Sequence, residues 1–257
     1  MIAAVMRPAY VLERNVLAYR RMWLIFMTGL AEPVIYLLSI GLGVGGLIGT
    51  VAGPGGRPVP YEDFVAPGLL AASAMNGSVF DATFNFFFKF KWAHTFDAML
   101  ATPLAPRDVA FGELAWCLLR GTMYSTAFLG TMWALGMIQS AWAVLVIPVA
   151  MLIGFAFAGA GMAATTWMRS FVDFDKVNLV LMPMFLFSAT FFPLSRYPDA
   201  LQWVVRATPL YQGVSLVRGL TLGDLEWSLL GHAAYLVVLG LVGLRITSRR
   251  LGRLLLP

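Results

Sequence analysis

The sequence predicts an all-α integral membrane protein. It has six transmembrane helices with both termini inside, an N-terminal amphipathic interfacial helix, and a re-entrant helical pair between spans five and six. Three observations carry this reading. Of 257 residues, 60% are hydrophobic and only 12% are charged, whereas soluble domains carry about 25% charged residues. A mean hydropathy of +0.78 on a 28.1 kDa chain would leave wide apolar patches facing water, and such patches drive association. Six separate apolar runs match or approach the roughly 20 residues that cross a hydrocarbon core. Finally, the basic residues sit at the ends of these runs, so the net charge of +5 reads as membrane topology and not as nucleic-acid affinity.

The six runs are Leu24–Gly49, Phe64–Phe88, Val109–Ile138, Trp142–Met168, Val177–Phe192 and Trp227–Thr247. The fifth is short for a full span, and several others exceed the minimum, which permits tilt. The first starts too late and runs too long for a cleavable signal peptide. An even number of spans puts both termini on one side. If that side is the cytoplasm, thirteen basic residues lie inside: Arg7, Arg14, Arg20 and Arg21; Lys89, Lys91 and Arg107; Arg169 and Lys176; and Arg245, Arg249, Arg250 and Arg253. Four lie outside (Arg57, Arg196, Arg206, Arg218), and Arg120 lies within a span. The bias sets the N-in, C-in orientation.

Residues 1–23 form the interfacial helix, and residues 24–257 form the six-span domain. Ala9, Leu12, Val16, Tyr19 and Trp23 repeat at helical spacing, with Arg7, Arg14 and Arg21 on the opposite face. Such a helix lies in the plane of an anionic leaflet, or packs on a partner. The loop Gly49–Asp63 is rich in glycine and proline and reads as an external turn without regular structure. The inner loop at about 89–108 carries a helical run, Lys89 to Leu100, stopped at Ala101-Thr-Pro103. On the residues alone, that run is a contact for a soluble partner or a solvated connector. After span five, at about 194–220, Pro198 and Pro209 each suit a first helical position, and Thr208 suits a cap. The two short helices they start are too apolar to float in water, and Trp203 and Tyr211 suit the outer interface.

Several stretches together resemble the membrane subunit of type-2 ABC exporters, in the branch that includes NodJ-like and daunorubicin-resistance permeases. They are Phe64-Val-Ala-Pro-Gly-Leu69, Ala74-Met-Asn-Gly77, Asp97-Ala-Met-Leu-Ala-Thr-Pro103, Met168-Arg-Ser-Phe-Val-Asp-Phe174, Phe187-Ser-Ala-Thr-Phe-Phe-Pro-Leu-Ser195 and Thr208-Pro-Leu-Tyr211. The resemblance covers essentially the whole chain. It implies a multi-pass protein of a bacterial-type inner membrane that pairs with a second copy of itself, or with a related chain. It implies two copies of a separate ATPase subunit, with ATP and magnesium held there and no cofactor on this chain. It implies export of an amphiphile: a lipid-linked glycan, a lipo-oligosaccharide or a hydrophobic drug. The coupling helix that docks on the ATPase would map to about Lys89–Thr102, with Lys89, Lys91, Trp92, His94 and Asp97 as contacts. The loop bearing Asp173 and Asp175 would be a second contact. Spans one, two and five would build the dimer interface, which makes Phe185, Phe187 and Phe191 candidates for the substrate path.

The residues fit that division of labour. No Gly-x4-Gly-Lys-Ser/Thr loop occurs in the sequence. Charges inside a membrane are costly and need partners. Counting along the hairpin of spans two and three sets Asp81 roughly 12 Å and Arg120 roughly 18 Å deep. The two can pair, with Asn85 joining, either to hold the hairpin or to line a polar path. Glu113 lies roughly 7 Å deep on the same count. Glu32 is shallow enough to snorkel. Asp173 and Asp175 near Arg169 suggest a solvated ion-pair cluster. His94 and Asp97, three apart, share a helix face, and with His232 far away no metal site is expected. The lone Cys117 reads as a packing residue. Small residues Gly154, Ala158, Gly161, Ala163 and Ala164 suggest close helix approach in span four. Two other classes remain: a lipid-modifying membrane enzyme, which would need clustered acids or histidines, and an ion-coupled transporter, which would show repeats and broken helices.

Overall fold

The computed structural model describes residues 2–20, 31 and 34–255. Helix α1 (Ile2–Tyr19) takes the N-terminal segment. A π-helical stretch, Leu37–Val44, leads into α2 (Gly45–Ile48), which Gly49 ends with a φ of 72°. Most of Leu24–Pro33, and Glu32 with it, lies outside the described residues. The next segment corrects the sequence reading. Where no regular structure was expected, β1 (Thr50–Ala52) pairs antiparallel with β2 (Pro58–Pro60), Val51 opposite Val59. Gly55 and Gly56 take φ of 64° and 75° in the turn, a region that costs glycine little. Composition marked the turn; the pairing depended on Val51 and Val59 meeting across it.

Helix α3 (Tyr61–Phe80) opens with Glu62 and Asp63, favourable at the positive end of the helix dipole. It continues through π-helical turns at Asp81–Asn85 and Phe88–Trp92. His94, in a left-handed conformation with φ of 45°, breaks the run and starts the short α4 (Thr95–Leu100). α5 (Pro106–Ala134) begins with a proline and an Asp108 carboxylate that accepts from the Ala105 N–H at 2.9 Å. α6 (Val146–Thr165) follows a 3-10 turn at Ala141–Leu145. α7 (Asp173–Leu186) stops well short of the expected Phe192. Ala189 at φ 56° and a Ser188–Thr190 hydroxyl bond of 2.7 Å replace its last turn. Two short helices then follow, α8 (Asp199–Ala207) and α9 (Pro209–Leu222), and the Thr208 hydroxyl accepts from the Tyr211 N–H. α10 (Ser228–Leu255) closes the chain.

Two stretches among the described residues are long and apolar enough to cross a membrane by length and composition alone: Ala141–Thr165 and Ser228–Leu255. α5 has the length too but carries Arg107, Asp108, Glu113 and Arg120. The bundle has two distinct ends. A foot end gathers α1, α4 and the last turns of α10 around buried Val11, Phe96, Val109 and Leu251. A hairpin end gathers β1, β2, α8 and α9.

Small residues set the helix spacing. A Cβ on Gly243 would lie 2.3 Å from the Gly159 carbonyl carbon, and one on Gly154 would meet the Ser78 hydroxyl at 2.8 Å. The α6–α10 crossing at Gly159, Gly240 and Gly243 is tighter than the α6 positions picked out from sequence. Gly243→Leu is expected to cost about 1–3 kcal/mol by overpacking, read as a lowered thermal unfolding midpoint. Gly252→Ala, where nothing lies within 4 Å, is expected to raise that midpoint slightly, because alanine favours helix.

Candidate functional site

The foot end concentrates the polar chemistry of the molecule. Phe96 of α4 is fully buried, its ring 4.9 Å from that of Phe86 and 6.2 Å from that of Phe90. This anchor leaves the opposite face of α4 open. There His94 Nδ1 and Asp97 Oδ2 meet at 2.7 Å, both well exposed. Lys91 and Trp92 are exposed beside them. Lys89 is placed differently from the sequence expectation. It turns inward, 7% exposed, and cannot face a soluble partner. Its ammonium donates to Glu113 Oε2 at 2.7 Å and to Asn15 Oδ1 at 3.0 Å. Asn15 Nδ2 donates to Glu113 Oε1 at 3.1 Å. The reason is position: on the widened helical turns Lys89 faces α5, and a lysine in an apolar site needs a carboxylate.

That buried triad also locates α1. Val11 sits over Gly112, where a Cβ would approach to 2.4 Å, and Tyr19 stacks on Trp116 at 4.9 Å. The face of α1 turned to the protein is therefore Val11, Asn15 and Tyr19. Tyr10, Val16 and Leu17 face outward. A signal for this existed in the sequence: Asn15 is a polar residue four positions after Val11, next to the apolar stripe of an amphipathic helix.

Deeper in the bundle, Arg120 Nη1 donates to Asp81 Oδ1 at 2.8 Å, and Arg120 Nε donates to the Tyr124 hydroxyl at 2.9 Å. Asn85 donates to the same Asp81 oxygen. The pair joins α5 to the π-helical extension of α3, with both side chains buried.

The 169–176 loop lies against the same end. Phe171 and Phe174 pack on Phe84 and Phe87, and Phe171 meets Trp92 edge-on at 5.2 Å. Asp173 pairs with Lys176 at 2.6 Å and accepts from the backbone N–H groups of Arg169 and Ser170. The Lys176 ammonium, with those two N–H groups, holds its carboxyl at about 2. The cluster is therefore Asp173 with Lys176 and backbone, not with the Arg169 side chain. Aromatic packing thus brings the two candidate loops together.

Beside this loop, a cavity of about 520 Å³ runs between α3, α6 and α7, lined by Thr83, Phe157, Trp167, Val180, Leu181 and Met184 among others, with Asp173 and Lys176 at one edge. Phe185, Phe187 and Phe191 do not line it. Phe185 packs edge-on against Phe191 at 5.2 Å, and Phe187 leans on Tyr197 at 6.2 Å. No residue of α7 is buried.

Residues 9–222 match the family model described as ABC-2 type transporter. The chain belongs to the ABC-2 type transporter family. Among its relatives, the Nodulation protein J of Rhizobium leguminosarum bv. viciae is 33% identical over 247 residues, covering 94% of this chain and 93% of the relative. The Nodulation protein J of Rhizobium meliloti (strain 1021) is 31% identical, covering 95% and 92%. That of Bradyrhizobium diazoefficiens is 31% identical over 209 residues, covering 80% and 78%. This ABC-2 protein is therefore a membrane permease of the ABC exporter type.

Two measurements follow. Asp81→Arg and Arg120→Asp should each cost about 3–5 kcal/mol, because each leaves a buried charge unpaired. The double swap should recover most of that loss in thermal unfolding. A double mutant no more stable than the singles would overturn the pairing. For Asp173, a carboxyl NMR titration should place the midpoint near 2, moving toward the ordinary value of about 3.9 in Lys176→Ala. With the folded value lowered, the contribution of this group is complete above about pH 4 and fades as pH falls through about 2.

Proposed function

We propose that this ABC-2 permease is one half of a dimeric exporter driven by two separate ATPase subunits, and that it moves an amphiphile from the inner to the outer face of a bacterial inner membrane. Six spans carry the path, with the foot end inside and the hairpin end outside. The basic residues of α1, of the 89–108 and 169–176 segments and of the end of α10 support this orientation. ATP and magnesium belong to the partner, and this chain contributes the moving walls.

One observation carries the reading. α4 is fastened to the bundle by a buried Phe96 while its opposite face exposes His94 and Asp97, with Lys91 and Trp92 alongside. A short helix anchored this way transmits a push from a docked partner into α3 and α5. The neighbouring Asp173–Asp175 segment, tied to Trp92 through Phe171, offers a second contact.

α7 supports the dimer. It exposes Leu179, Val180, Met182 and Leu186 and has no fully buried residue, which suits contact with a second copy. The apolar cavity beside it suits an acyl chain or an aromatic drug. Phe185, Phe187 and Phe191 would then act at the outer end of the path, where α7 gives way to irregular chain. The lipid-modifying alternative would need clustered acids or histidines. The ion-coupled alternative rests on Asp81 and Arg120, which are paired with each other.

Detergent-solubilised permease should co-purify with its ATPase subunit. His94→Ala with Asp97→Ala should reduce that recovery and the ATP-driven export at least tenfold while leaving the unfolding midpoint unchanged. Export that continues without any ATPase would overturn the reading.

A further inference from the structure

The hairpin end encloses a second and larger cavity, about 720 Å³, between the β1–β2 turn, the chain after α7, α9 and the start of α10. Its wall includes a cation with no counter-ion among the described residues. Arg218 of α9 is only 7% exposed. Its Nε donates to the Phe64 carbonyl at 3.2 Å. Its Nη2 donates to the carbonyls of Phe64 at 3.0 Å, Ala189 at 2.9 Å and Thr190 at 3.4 Å. The guanidinium lies 3.8 Å from the centre of the Phe64 ring. No carboxylate among the described residues is within salt-bridge distance.

The carbonyls explain part of this residue. They let Arg218 stitch α9 to the start of α3 and to the chain after α7. Carbonyl dipoles and a ring face satisfy donors, however, and do not neutralise a unit charge, which is costly to bury unpaired. A third nitrogen, Nη1, makes no hydrogen bond among the described residues, and Arg218 lines the cavity. Three other charged residues line this space, the positive Arg206 and the negative Asp224 and Glu226; Arg206 and Glu226 are exposed and Asp224 is half-buried. Solvent screens Arg206 and Glu226, and Asp224 in part, more than it screens the buried Arg218. The lining as a whole is balanced in charge, but its one buried charge is the positive Arg218, and hydrogen-bonding groups lie around it: Tyr211, Ser215, and Gln212 joined to His232.

We propose that this cavity seats an anionic oxygen group, a phosphate, sulfate or carboxylate, with Arg218 supplying the counter-charge through its free edge. The volume lies within the range of small-molecule sites, roughly 300–1,000 Å³. That the group arrives on an exported amphiphile rests on the exporter reading above; the anion preference does not.

The full-length chain in phosphatidylcholine nanodiscs provides the test. Ser195, exposed and lining the cavity, is replaced by cysteine and carries an environment-sensitive fluorophore; the native Cys117 is buried. Hexyl phosphate, hexyl glucoside and inorganic phosphate are titrated separately. Hexyl phosphate should give a saturable shift at a concentration at least tenfold below that for hexyl glucoside. Competition by inorganic phosphate at equal strength would assign the site to a soluble anion, and none would assign it to an alkyl-borne group. Ser215→Trp, which fills the cavity, should abolish the shift, and Arg218→Gln should weaken it at least tenfold. If Arg218→Gln fails to fold, the wild-type affinity must still fall as salt rises and must survive in Arg218→Lys. Equal response to glucoside and phosphate, or no saturable response to hexyl phosphate, would overturn the proposal. Neither result bears on ATPase co-purification, so the two readings fail separately.

Discussion

Charges buried in a low-dielectric bundle must find partners, and this constraint organises the foot end. Asp81 and Lys89 on the extended α3 reach Arg120 and Glu113 on α5. The two pairs form rungs across one antiparallel hairpin. Eight steps on one helix must match seven on the other. The π-helical turns between Asp81 and Trp92 resolve the mismatch, because a π turn accommodates an extra residue. A one-residue slip would strand all four charges. The rungs therefore fix register more than they add stability, in keeping with the small net worth of buried ion pairs compared with apolar packing.

Everything at that end hangs from the rungs. Asn15 joins the Lys89–Glu113 pair and so fixes α1 against α5. Val11 over Gly112 adds the steric half of the same joint. His94 then turns the chain, and Phe96 plugs α4 into the cluster beneath. On the proposed reading, a partner pushing on α4 acts on one rigid assembly of α1, α3 and α5. The 169–176 loop joins it through Phe171, Phe174 and Trp92.

The hairpin end solves the burial problem differently. Arg218 has carbonyl oxygens and a phenylalanine ring in place of a carboxylate. One end of the bundle is thus closed by matched charge and the other by a cation that keeps its charge. The tight α6–α10 crossing at Gly159 and Gly243 runs between them. α7, which touches the core only through half-buried residues such as Val177 and Leu181, is the least fastened long helix of the bundle among the described residues.

What local chemistry and bulk composition control is legible along the chain. Apolar run length pointed to a membrane, basic residues at run ends pointed to an orientation, and Pro198, Thr208 and Pro209 marked the two short helices. Rise per residue set Asp81 and Arg120 at comparable depth. Tertiary structure alone decided what depends on which faces meet. Lys89 reads in sequence as a loop-end cation, and only the widened turns of α3 aim it at Glu113. Asn15 reads as one polar residue on an amphipathic helix, and only docking on Gly112 buries it. β1 and β2 needed Val51 and Val59 to meet, and Arg218 needed the carbonyls of α3 and of the chain after α7 to converge. Periodicity and composition report each segment's preference for apolar or polar surroundings. They carry no information about which distant backbone atom will complete a side chain's hydrogen bonds, because that is fixed by how the helices cross.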